Sequence, residues 1–380
     1  MSAKPKTLAL LGSTGSVGTQ TLDVVRSFPD DLNVFGLACN RNVELLKKQI
    51  DEFSPRFFSC NGSPAEMASL SANGCQETDI NPMVCHDDVD VVVTATTGDV
   101  ALAPTLDAID CGKSIALANK ETVVMAGELV ANKAKAKGVS LLPMDSEPNA
   151  IWQCLRGEDS KVAKLIITAS GGAFRNTSLD RLDSVTPEQA LMHPTWKMGQ
   201  KITVDSATMM NKAFEVIEAR WLFDVDWDDI DVVVHPQSVI HSMVEFADGS
   251  VKAQLSPPDM RLPIQYAILY PERHANARIK RLDPVATGSL TFEPWEPERY
   301  PCFDLAINVA RRGGTWPSAL SGANDAAVDL FLAGRIGFME IDDVITDGLR
   351  GHVNVADPDL DDIITACKTT NERVVGLVGA

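Results

Sequence analysis

The chain has 380 residues, of which 45% are hydrophobic, so it can bury the cores of two or three domains. Lysine and arginine total 34 against 52 aspartates and glutamates, which gives a formal net charge of −18. Such a chain repels a phosphate backbone, so we expect no nucleic-acid partner. A small phosphorylated molecule is not excluded, because a pocket can be locally basic on an acidic protein.

The location of the protein is predicted from its apolar runs and its cysteines. No uncharged apolar run reaches the roughly 20 residues that span a bilayer, and no signal-peptide core follows the first residues. The eight cysteines form no C-x-x-C pair and have no zinc-type spacing, a pattern typical of thiols in a reducing cytosol. We therefore expect a soluble, cytoplasmic protein with no membrane partner.

Residues 1–145 alternate near-continuous apolar runs with helical patterns. The runs cover residues 7–11, 33–38, 90–96, 114–118 and 139–144. Apolar strands that alternate with helices are typical of a parallel sheet covered on both faces. The sequence therefore predicts an α/β protein whose first domain, residues 1–145, is Rossmann-like and doubly wound.

The remainder of the chain has a different pattern. Residues 146–270 contain a predicted strand (164–169), a helix (209–223) and a hairpin (238–255), which indicates a central mixed α+β catalytic domain. Residues 271–301 are rich in proline and charge and are predicted to be a linker or an arm. Residues 302–380 are predicted to form a C-terminal helical domain, most clearly at 317–332 and 341–349.

A glycine-rich loop follows the first predicted strand and opens the first helix. Gly12, Gly15 and Gly18 would let the backbone turn tightly and approach a pyrophosphate at the helix N-terminus. The alternative is a glycine-rich turn without a ligand. No acid follows the second strand, where NAD-specific proteins place one, and Arg41 could bind a 2′-phosphate, which favours NADP. Arg41 could also be an ordinary exposed residue at a helix entry.

Two carboxylates follow a predicted strand at Asp145 and Glu147. In an extended segment, residues two apart point the same way, so both could bind one cation. With no histidine or cysteine nearby, they suit a hard ion such as Mg²⁺ or Mn²⁺. A helix N-terminus explains the two acids equally well, because Pro148 fits a first helical turn.

Glu215 of the predicted helix 209–223 has two polar neighbours one turn earlier. It shares a face with Lys212, three residues before it, and lies close to Asn211, four residues before it. A solvated ion pair is the usual result of such spacing. Against it, the preceding run at residues 205–210 contains small and apolar residues that are unusual on a solvated surface.

Two loops carry further candidates. The turn Ser170-Gly171-Gly172 could donate hydroxyl and amide groups to a phosphate, although such a turn is more often only a turn. The loop at residues 193–199 places Trp196 and Met198 in a polar setting, which indicates either local packing or a lid that excludes water.

Together these segments resemble one family, the 1-deoxy-D-xylulose 5-phosphate reductoisomerases. The resemblance covers nearly the whole chain, and its longest segment is the most specific. The matching segments are residues 12–18, 118–121, 142–147, 168–175, 193–199, 201–212, 234–238, 256–261, 299–302 and 323–327.

The resemblance implies NADPH, a divalent metal (Mg²⁺ or Mn²⁺), a sugar phosphate substrate and a homodimer. For the cofactor it implies Thr14, Gly15, Ser16, Val17, Asn40, Arg41, Asn42, Asn119, Glu121 and Gly199. For the metal it implies Asp145, Glu147 and Glu215. For the substrate it implies Lys120, Ser146, Glu147, Ser170, His193, Ser206, Asn211, Lys212 and Glu215, with Trp196 and Met198 on the lid.

The implied reaction has two steps. The carbon skeleton of 1-deoxy-D-xylulose 5-phosphate rearranges beside the metal, with Lys120 and Glu147 as the catalytic groups, and NADPH then reduces the aldehyde to 2-C-methyl-D-erythritol 4-phosphate. This is a step of the non-mevalonate route to isoprenoid precursors. The chain departs from the family pattern at Pro148-Asn149, where the family usually has His-Ser or His-Asn, and at Asn40, where Gly is usual.

Two rival functions make different demands on the sequence. A semialdehyde dehydrogenase of similar layout needs a nucleophilic cysteine in an activating setting, and no cysteine here lies beside a matching histidine motif. A dinucleotide-binding sensor without chemistry would have a broken metal set, whereas all three carboxylates are present.

Overall fold

The computed structural model describes residues 4–71, 74–196 and 198–379. Its β-strands are β1 (Lys6–Leu11), β2 (Leu32–Ala38), β3 (Phe57–Ser59), β4 (Gln76–Glu77), β5 (Val91–Thr94), β6 (Ser114–Leu117), β7 (Leu141–Pro143), β8 (Val162–Ala169), β9 (Ile230–Val234), β10 (Ile240–Phe246) and β11 (Val251–Leu255).

The α-helices of the same residues are α1 (Ser16–Ser27), α2 (Val43–Phe53), α3 (Pro64–Ser71), α4 (Ile80–Val84), α5 (Leu102–Asp110), α6 (Lys120–Lys137), α7 (Ser146–Leu155), α8 (Pro187–Ala190), α9 (Gln200–Thr208), α10 (Met210–Phe223), α11 (Arg261–Leu269), α12 (Pro284–Thr287), α13 (Pro301–Ala310), α14 (Trp316–Leu332), α15 (Ile341–Leu349) and α16 (Leu360–Gly379). Short 3-10 helices lie at Gly98–Ala101, Leu179–Ser184, Trp227–Asp229, Pro297–Arg299 and Phe338–Glu340.

The chain divides into two compact units, each assembled from separate stretches. The first unit contains the described residues up to Thr122, together with Leu129–Asn149 and Asp259–Lys280. The second contains Val123–Glu128, Ala150–Pro258 and the described residues from Arg281 onward. These stretches cut across the predicted boundaries at residues 145 and 270, since α6 and α7 contribute residues to both units and α11 belongs to the first. The functional division into three domains stays a prediction.

The first unit is built on a parallel sheet with the strand order β4-β3-β2-β1-β5-β6-β7. The chain winds outward from β1 to β4 and then returns to the other side of β1 with β5, pairing Leu8–Leu11 with Val91–Thr94. β1 and β5 are fully buried apart from Lys6, as expected for strands covered on both faces. The predicted Rossmann-like fold is confirmed, and the reversal beside β1 is where ligands bind in such sheets.

The second unit combines a mixed sheet with a helical core. The sheet order is β11-β10-β8-β9, with β8 and β9 parallel and the other pairs antiparallel. The predicted hairpin is β10 and β11, joined through Gly249, which has a φ of +84°. The core combines residues of α9 and α10 with residues of α13 to α16, including Phe214 and Phe331. The predicted α+β sheet and helical C-terminal region are therefore confirmed.

One helix break was not predicted. Thr208 ends α9 and Met210 begins α10, and Met209 between them has a φ of +63°, a conformation uncommon for residues other than glycine. Its side chain is buried against Ala169 and Tyr300. The predicted helix 209–223 is therefore correct apart from its first residue, whereas helix α9 was missed.

The predicted linker or arm, residues 271–301, is divided between the units: residues 271–280 belong to the first, and residues 281–301 make specific contacts within the second. Glu293 pairs with Val234 in an isolated antiparallel bridge and accepts a hydrogen bond from Arg175 at 2.5 Å. The segment also contains α12 and ends at the buried Tyr300.

The cysteines differ from expectation at one pair. Cys85 and Cys111 form a disulfide with Cα atoms 5.5 Å apart. The free-thiol pattern is therefore wrong for these two residues, because spacing along the chain does not show that the ends of α4 and α5 meet.

In the part of the chain that the structure describes, no helix is long and apolar enough to cross a membrane.

Candidate active site

The glycine loop between β1 and α1 is shaped by close backbone contacts. A Cβ on Gly12 would lie 2.3 Å from the Ala95 carbonyl oxygen, and one on Gly18 would lie 2.1 Å from the Gly12 oxygen. Gly12 also has a φ of +86°. Glycine is therefore required at both positions for the loop to fold back on itself.

Gly15 has a different role from its neighbours. It precedes the first turn of α1 with an ordinary φ of −77°, and its Cβ position is in no closer contact than 3.4 Å. Gly15 and Ser16 are exposed at the carboxyl edge of the sheet, while Thr14 and Val17 are half-buried beside them. The loop thus presents open backbone at a helix N-terminus, the arrangement that a pyrophosphate needs.

The segment after β2 presents Asn40, Arg41 and Asn42, all exposed. Asn42 caps α2 by accepting a hydrogen bond from the Leu45 amide at 3.2 Å, and Asn40 accepts one from Asn61 at 2.9 Å. The Arg41 guanidinium forms no hydrogen bond or ion pair with the other described residues and is therefore available to bind an anion. No acid is present at this strand end, and the NADP-type pattern is preserved.

Asn119 fixes the start of α6. Its Oδ1 accepts hydrogen bonds from the amide and hydroxyl of Thr122, at 2.8 and 2.5 Å. Its Nδ2 donates to the carbonyls of Thr96 and Gly98, both at 3.0 Å, and to Glu121 at 3.2 Å. Asn119 is 1% exposed, and its hydrogen bonds connect the loop after β5 to the helix that carries Lys120.

Lys120 and the two acids meet inside the first unit. The Lys120 ammonium forms an ion pair with Asp145, and both side chains are largely buried. Carboxylate oxygens of Asp145 and Glu147 lie within 4.8 Å of each other. Ser146 donates a hydrogen bond to Glu147.

The predicted extended geometry at Asp145 to Glu147 is wrong. Ser146 already begins α7, so Glu147 lies in the first helical turn and Asp145 directly precedes it. The helix N-terminus that the sequence left as an alternative is therefore present. It does not exclude the cation, because a turn of helix also brings neighbouring carboxylates together. Asn149, which stands at a departure from the family pattern, donates to the carbonyls of Pro143 and Pro263 and is fully buried.

In the second unit, Ser170 and His193 form a directed pair. The Nδ1 atom of His193 accepts hydrogen bonds from the amides of Thr195 and Trp196, at 3.1 and 2.9 Å. The proton of the neutral ring must then lie on Nε2, which is 3.1 Å from the Ser170 hydroxyl oxygen. Burial lowers the pKa of His193, which keeps the ring neutral. The Ser170 oxygen therefore accepts from His193, and its own proton can be donated to a ligand.

The helices α9 and α10 bring the other phosphate candidates to the same unit. Gly172, with a φ of +69°, packs against Ser206, since a Cβ there would lie 2.4 Å from the Ser206 carbonyl oxygen. Asn211 and Lys212 lie in the first turn of α10, where the helix dipole favours an anion. The structure therefore brings Ser170 and Ser206 together through the glycine turn.

Glu215 lies one turn further along α10. Its carboxylate accepts a hydrogen bond from Asn211 at 2.6 Å and forms an ion pair with Lys212. Glu215 is 1% exposed and Lys212 is 4% exposed. The solvated ion pair considered from the sequence is thus wrong, because the pair is buried. A buried carboxylate needs cations or strong donors around it.

The loop at residues 193–199 leads directly into α9. The Trp196 ring lies 6.3 Å from the His241 ring, and Met198 is half-buried. Gly199 is exposed and provides the cap position of α9, while Lys197 lies outside the described residues.

Two contributors to the phosphate loop were not identified from the sequence. Tyr300 is buried and donates a hydrogen bond to the Gly171 carbonyl at 2.9 Å, and burial raises its pKa to about 12. Arg299 donates to the carbonyls of Phe174 and Thr177. Both belong to a segment that matched the family pattern, but neither contact could be read from residues about 125 positions away.

The free cysteines argue against thiol chemistry. Burial raises the pKa of Cys39, Cys75 and Cys154 to about 11, and it also raises the pKa of Cys60 and Cys302. A thiol with a raised pKa is a poor nucleophile at neutral pH. This counts against the semialdehyde dehydrogenase alternative.

Models of known protein families match most of the chain. Residues 8–127 match "1-deoxy-D-xylulose 5-phosphate reductoisomerase", residues 141–223 match its "C-terminal domain", and residues 255–373 match the "DXP reductoisomerase C-terminal domain". Among curated proteins, the 1-deoxy-D-xylulose 5-phosphate reductoisomerase of Shouchella clausii is 50% identical over 366 residues, covering 94% of this chain and 96% of the relative. The enzyme of the same name from Heliobacterium modesticaldum is 50% identical over 364 residues, covering 93% of each.

Solved structures agree with this match. The Zymomonas mobilis reductoisomerase in complex with NADPH superposes with a TM-score of 0.90 at 37% identity, covering 99% of this chain and all of the other. A DOX-P reductoisomerase in complex with NADPH, fosmidomycin and magnesium superposes with a TM-score of 0.87 at 37% identity, covering 98% and 97%. This chain therefore belongs to the 1-deoxy-D-xylulose 5-phosphate reductoisomerase family and is an NADP-dependent oxidoreductase.

Proposed function

We propose that this chain rearranges and reduces 1-deoxy-D-xylulose 5-phosphate to 2-C-methyl-D-erythritol 4-phosphate, with NADPH as reductant and Mg²⁺ or Mn²⁺ as cofactor. The observation that carries the proposal is the carboxylate pair Asp145 and Glu147 of the first unit, whose oxygens lie within 4.8 Å of each other and could hold a metal ion. Glu215 is proposed as the third ligand. Oxygen donors of this kind suit a hard divalent cation. The solved relative bound to NADPH, fosmidomycin and magnesium supports the same cofactors.

NADPH fits the first unit. The open backbone at Gly15, with Thr14, Ser16 and Val17, would hold the pyrophosphate. Arg41 would bind the 2′-phosphate, and Asn40 and Asn42 would line that end of the cofactor. The remaining proposed cofactor contacts are Asn119, Glu121 and Gly199.

The bound cation would supply Lewis-acid stabilisation of the developing negative charge, and the nicotinamide would supply the hydride. Lys120 neutralises Asp145, and its ammonium would bind the sugar end of the substrate. Glu147 accepts a hydrogen bond from Ser146, and its carboxylate would exchange a proton with the substrate hydroxyls. Ser146 is also a proposed contact of the sugar.

The phosphate of the substrate would lie against the second unit. Ser170 would donate its free proton, with His193 orienting it, and Ser206 would donate from α9. Asn211 and Lys212 would bind the anion from the first turn of α10. Glu215, which pairs with Lys212, would be a ligand of the cation. These contacts supply binding energy remote from the reacting carbons and orient them.

The loop at residues 193–199 is proposed as a lid. The His193 ring accepts hydrogen bonds from the backbone amides of Thr195 and Trp196. A phosphate bound at Ser170 would therefore influence the conformation of the loop that carries Trp196 and Met198. Closing such a loop excludes water from the reactive intermediate.

A homodimer is proposed from the edge of the mixed sheet. β11 is an edge strand, and Val251 and Leu255 on it are 50% and 40% exposed. An exposed apolar edge is a surface that a second copy can cover. We also propose a cytoplasmic location, which is supported by the six of eight cysteines that form no disulfide.

The function is tested by mixing the protein with 1-deoxy-D-xylulose 5-phosphate and NADPH and following NADPH absorbance, with either metal or with a chelator. We expect turnover that depends on the metal, and 2-C-methyl-D-erythritol 4-phosphate as the product by mass spectrometry. Tight NADPH binding without turnover under any metal would instead favour the dinucleotide-binding sensor.

A further inference from the structure

A buried polar network joins helix α9 to helix α14 within the second unit. Asp205 of α9 is 2% exposed and Asn324 of α14 is fully buried. The Asn324 Nδ2 donates to the Asp205 carboxylate at 2.9 Å, and the Lys201 ammonium lies 3.0 Å from its other oxygen. Lys201 also pairs with Asp325 of α14 at 3.2 Å. The network therefore fixes α9 at two points against the helix behind it.

Only one of the two polar atoms of the Asn324 side-chain amide forms a hydrogen bond among the described residues. Its Oδ1 is buried and accepts no hydrogen bond among the described residues, whereas its Nδ2 is bonded to Asp205. A buried acceptor without a partner destabilises the fold, so packing alone would favour an apolar residue here. An asparagine at this position is explained by the hydrogen bond that its Nδ2 donates to the Asp205 carboxylate.

Asp205 is followed directly by Ser206, whose carbonyl packs against Gly172 of the phosphate turn. A buried carboxylate that lost a donor would turn toward other donors or water, and the backbone of α9 would move with it. Because Gly172 leaves no space at that carbonyl, a shift of α9 would also move the turn that carries Ser170. It would likewise move the helix break at Met209, and with it Asn211 and Lys212 at the start of α10.

We propose that Asn324 is a positioning residue for phosphate binding: it holds Asp205, and through it α9, so that Ser170 and Ser206 bind the phosphate together. The proposal rests on the phosphate site of the proposed function. Neither Asn324 nor Asp205 would touch the substrate, and both would act through the backbone of α9.

The test compares Asn324→Ala with Ser321→Ala. Ser321 is one turn earlier on α14, equally buried, and its hydroxyl has no hydrogen-bond partner in the described part of the chain, so its loss controls for a small cavity in the same helix. The affinity for inorganic phosphate is measured by calorimetry, alongside KM for 1-deoxy-D-xylulose 5-phosphate, KM for NADPH and the melting temperature.

We expect Asn324→Ala to weaken phosphate binding and raise the substrate KM by about tenfold, which corresponds to the loss of one hydrogen bond to a charged group. KM for NADPH should stay unchanged, and Ser321→Ala should change neither value. The double variant Asp205→Asn with Asn324→Asp, which exchanges donor and acceptor, should recover phosphate affinity. If Asn324→Ala fails to fold, the phosphate affinity of the double variant still tests the proposal.

Equal phosphate affinity in Asn324→Ala and Ser321→Ala would overturn the proposal, as would a double variant that folds without recovering affinity. A wild-type protein that binds phosphate but does not convert the substrate would contradict the proposed function alone. Loss of phosphate binding on Asn324→Ala would then still support the positioning role.

Discussion

Arg41 is the residue on which the preference for NADP over NAD depends. It is exposed after β2, at a strand end that carries no acid, and its neighbours Asn40 and Asn42 are engaged with Asn61 and the start of α2. Arg41→Ala should raise KM for NADPH by about tenfold to a hundredfold, the range for a lost charge-assisted hydrogen bond, and leave KM for NADH nearly unchanged.

The control for Arg41 is Lys48→Ala, which removes an exposed cation from the same region but one paired with Glu44 on α2. Steady-state kinetics with both cofactors distinguishes the two variants. An equal loss with NADPH in both would show that only the general electrostatic potential matters, and would contradict a specific phosphate contact at Arg41.

His193 makes stability depend on pH. Burial lowers its folded pKa below 6.5, so the unfolded chain binds the proton more readily than the folded one. This contribution is fully present above the unfolded value and is lost as the pH falls through 6.5 to the lowered folded value. The melting temperature should therefore fall less between about pH 7 and about pH 5 in His193→Gln than in the wild type. Parallel curves for the two proteins would show that His193 is not the titrating group.

Individual site residues were predictable where their chemistry is local. The glycine loop, Arg41 and the acids at Asp145 and Glu147 were proposed from local motifs, each with an alternative that the sequence left open. The roles of Tyr300 and Asn324 were not predictable, because each acts on a residue more than 115 positions away and a tyrosine or asparagine gives no signal of its partner.

The glycine loop before α1 has space for a side chain at Gly15 but not at Gly18. A Cβ at Gly18 would meet the Gly12 carbonyl at 2.1 Å, whereas one at Gly15 meets it only at 3.4 Å. Gly18→Ala should lower the free energy of unfolding by about 1–3 kcal/mol through overpacking. Gly15→Ala should keep the stability and weaken NADPH binding by roughly tenfold, because its methyl group occupies the space of the pyrophosphate.

Chemical denaturation and fluorescence titration with NADPH measure the two effects separately. If Gly15→Ala bound NADPH as tightly as the wild type, the pyrophosphate could not lie at this backbone. The unchanged stability of Gly15→Ala serves as the control for the loss in Gly18→Ala.

Most elements followed from apolar periodicity, and the exceptions have local causes. The strands of the parallel sheet and the helices α14 and α15 lie close to their predicted bounds. Helix α9 was missed because Gln200–Thr208 has few apolar residues in a helical stripe and ends at Met209, a residue type that does not mark a left-handed turn. The helical start at Ser146 was offered only as an alternative, since Pro148 fits both a loop and a first turn.

At the scale of the whole molecule, the family, the fold class and the cofactors predicted from the sequence are confirmed, and the linear domain boundaries stay a prediction. Each compact unit gathers separate stretches of chain, as when Asp259–Lys280 returns to the first unit. Periodicity shows where elements are, but it does not show to which core a distant helix returns. The disulfide between Cys85 and Cys111 was missed for the same reason.

Turnover is proposed to require one divalent cation, with Asp145, Glu147 and Glu215 as its ligands. The decisive measurement is the metal-dependent rate of NADPH oxidation with 1-deoxy-D-xylulose 5-phosphate in Glu215→Gln, compared with Glu218→Gln, which alters an equally buried glutamate on the same helix. We predict that Glu215→Gln lowers kcat/KM by about a hundredfold or more and raises the metal concentration needed for half activity, while Glu218→Gln stays near the wild type. Equal metal dependence in Glu215→Gln and the wild type would contradict the account.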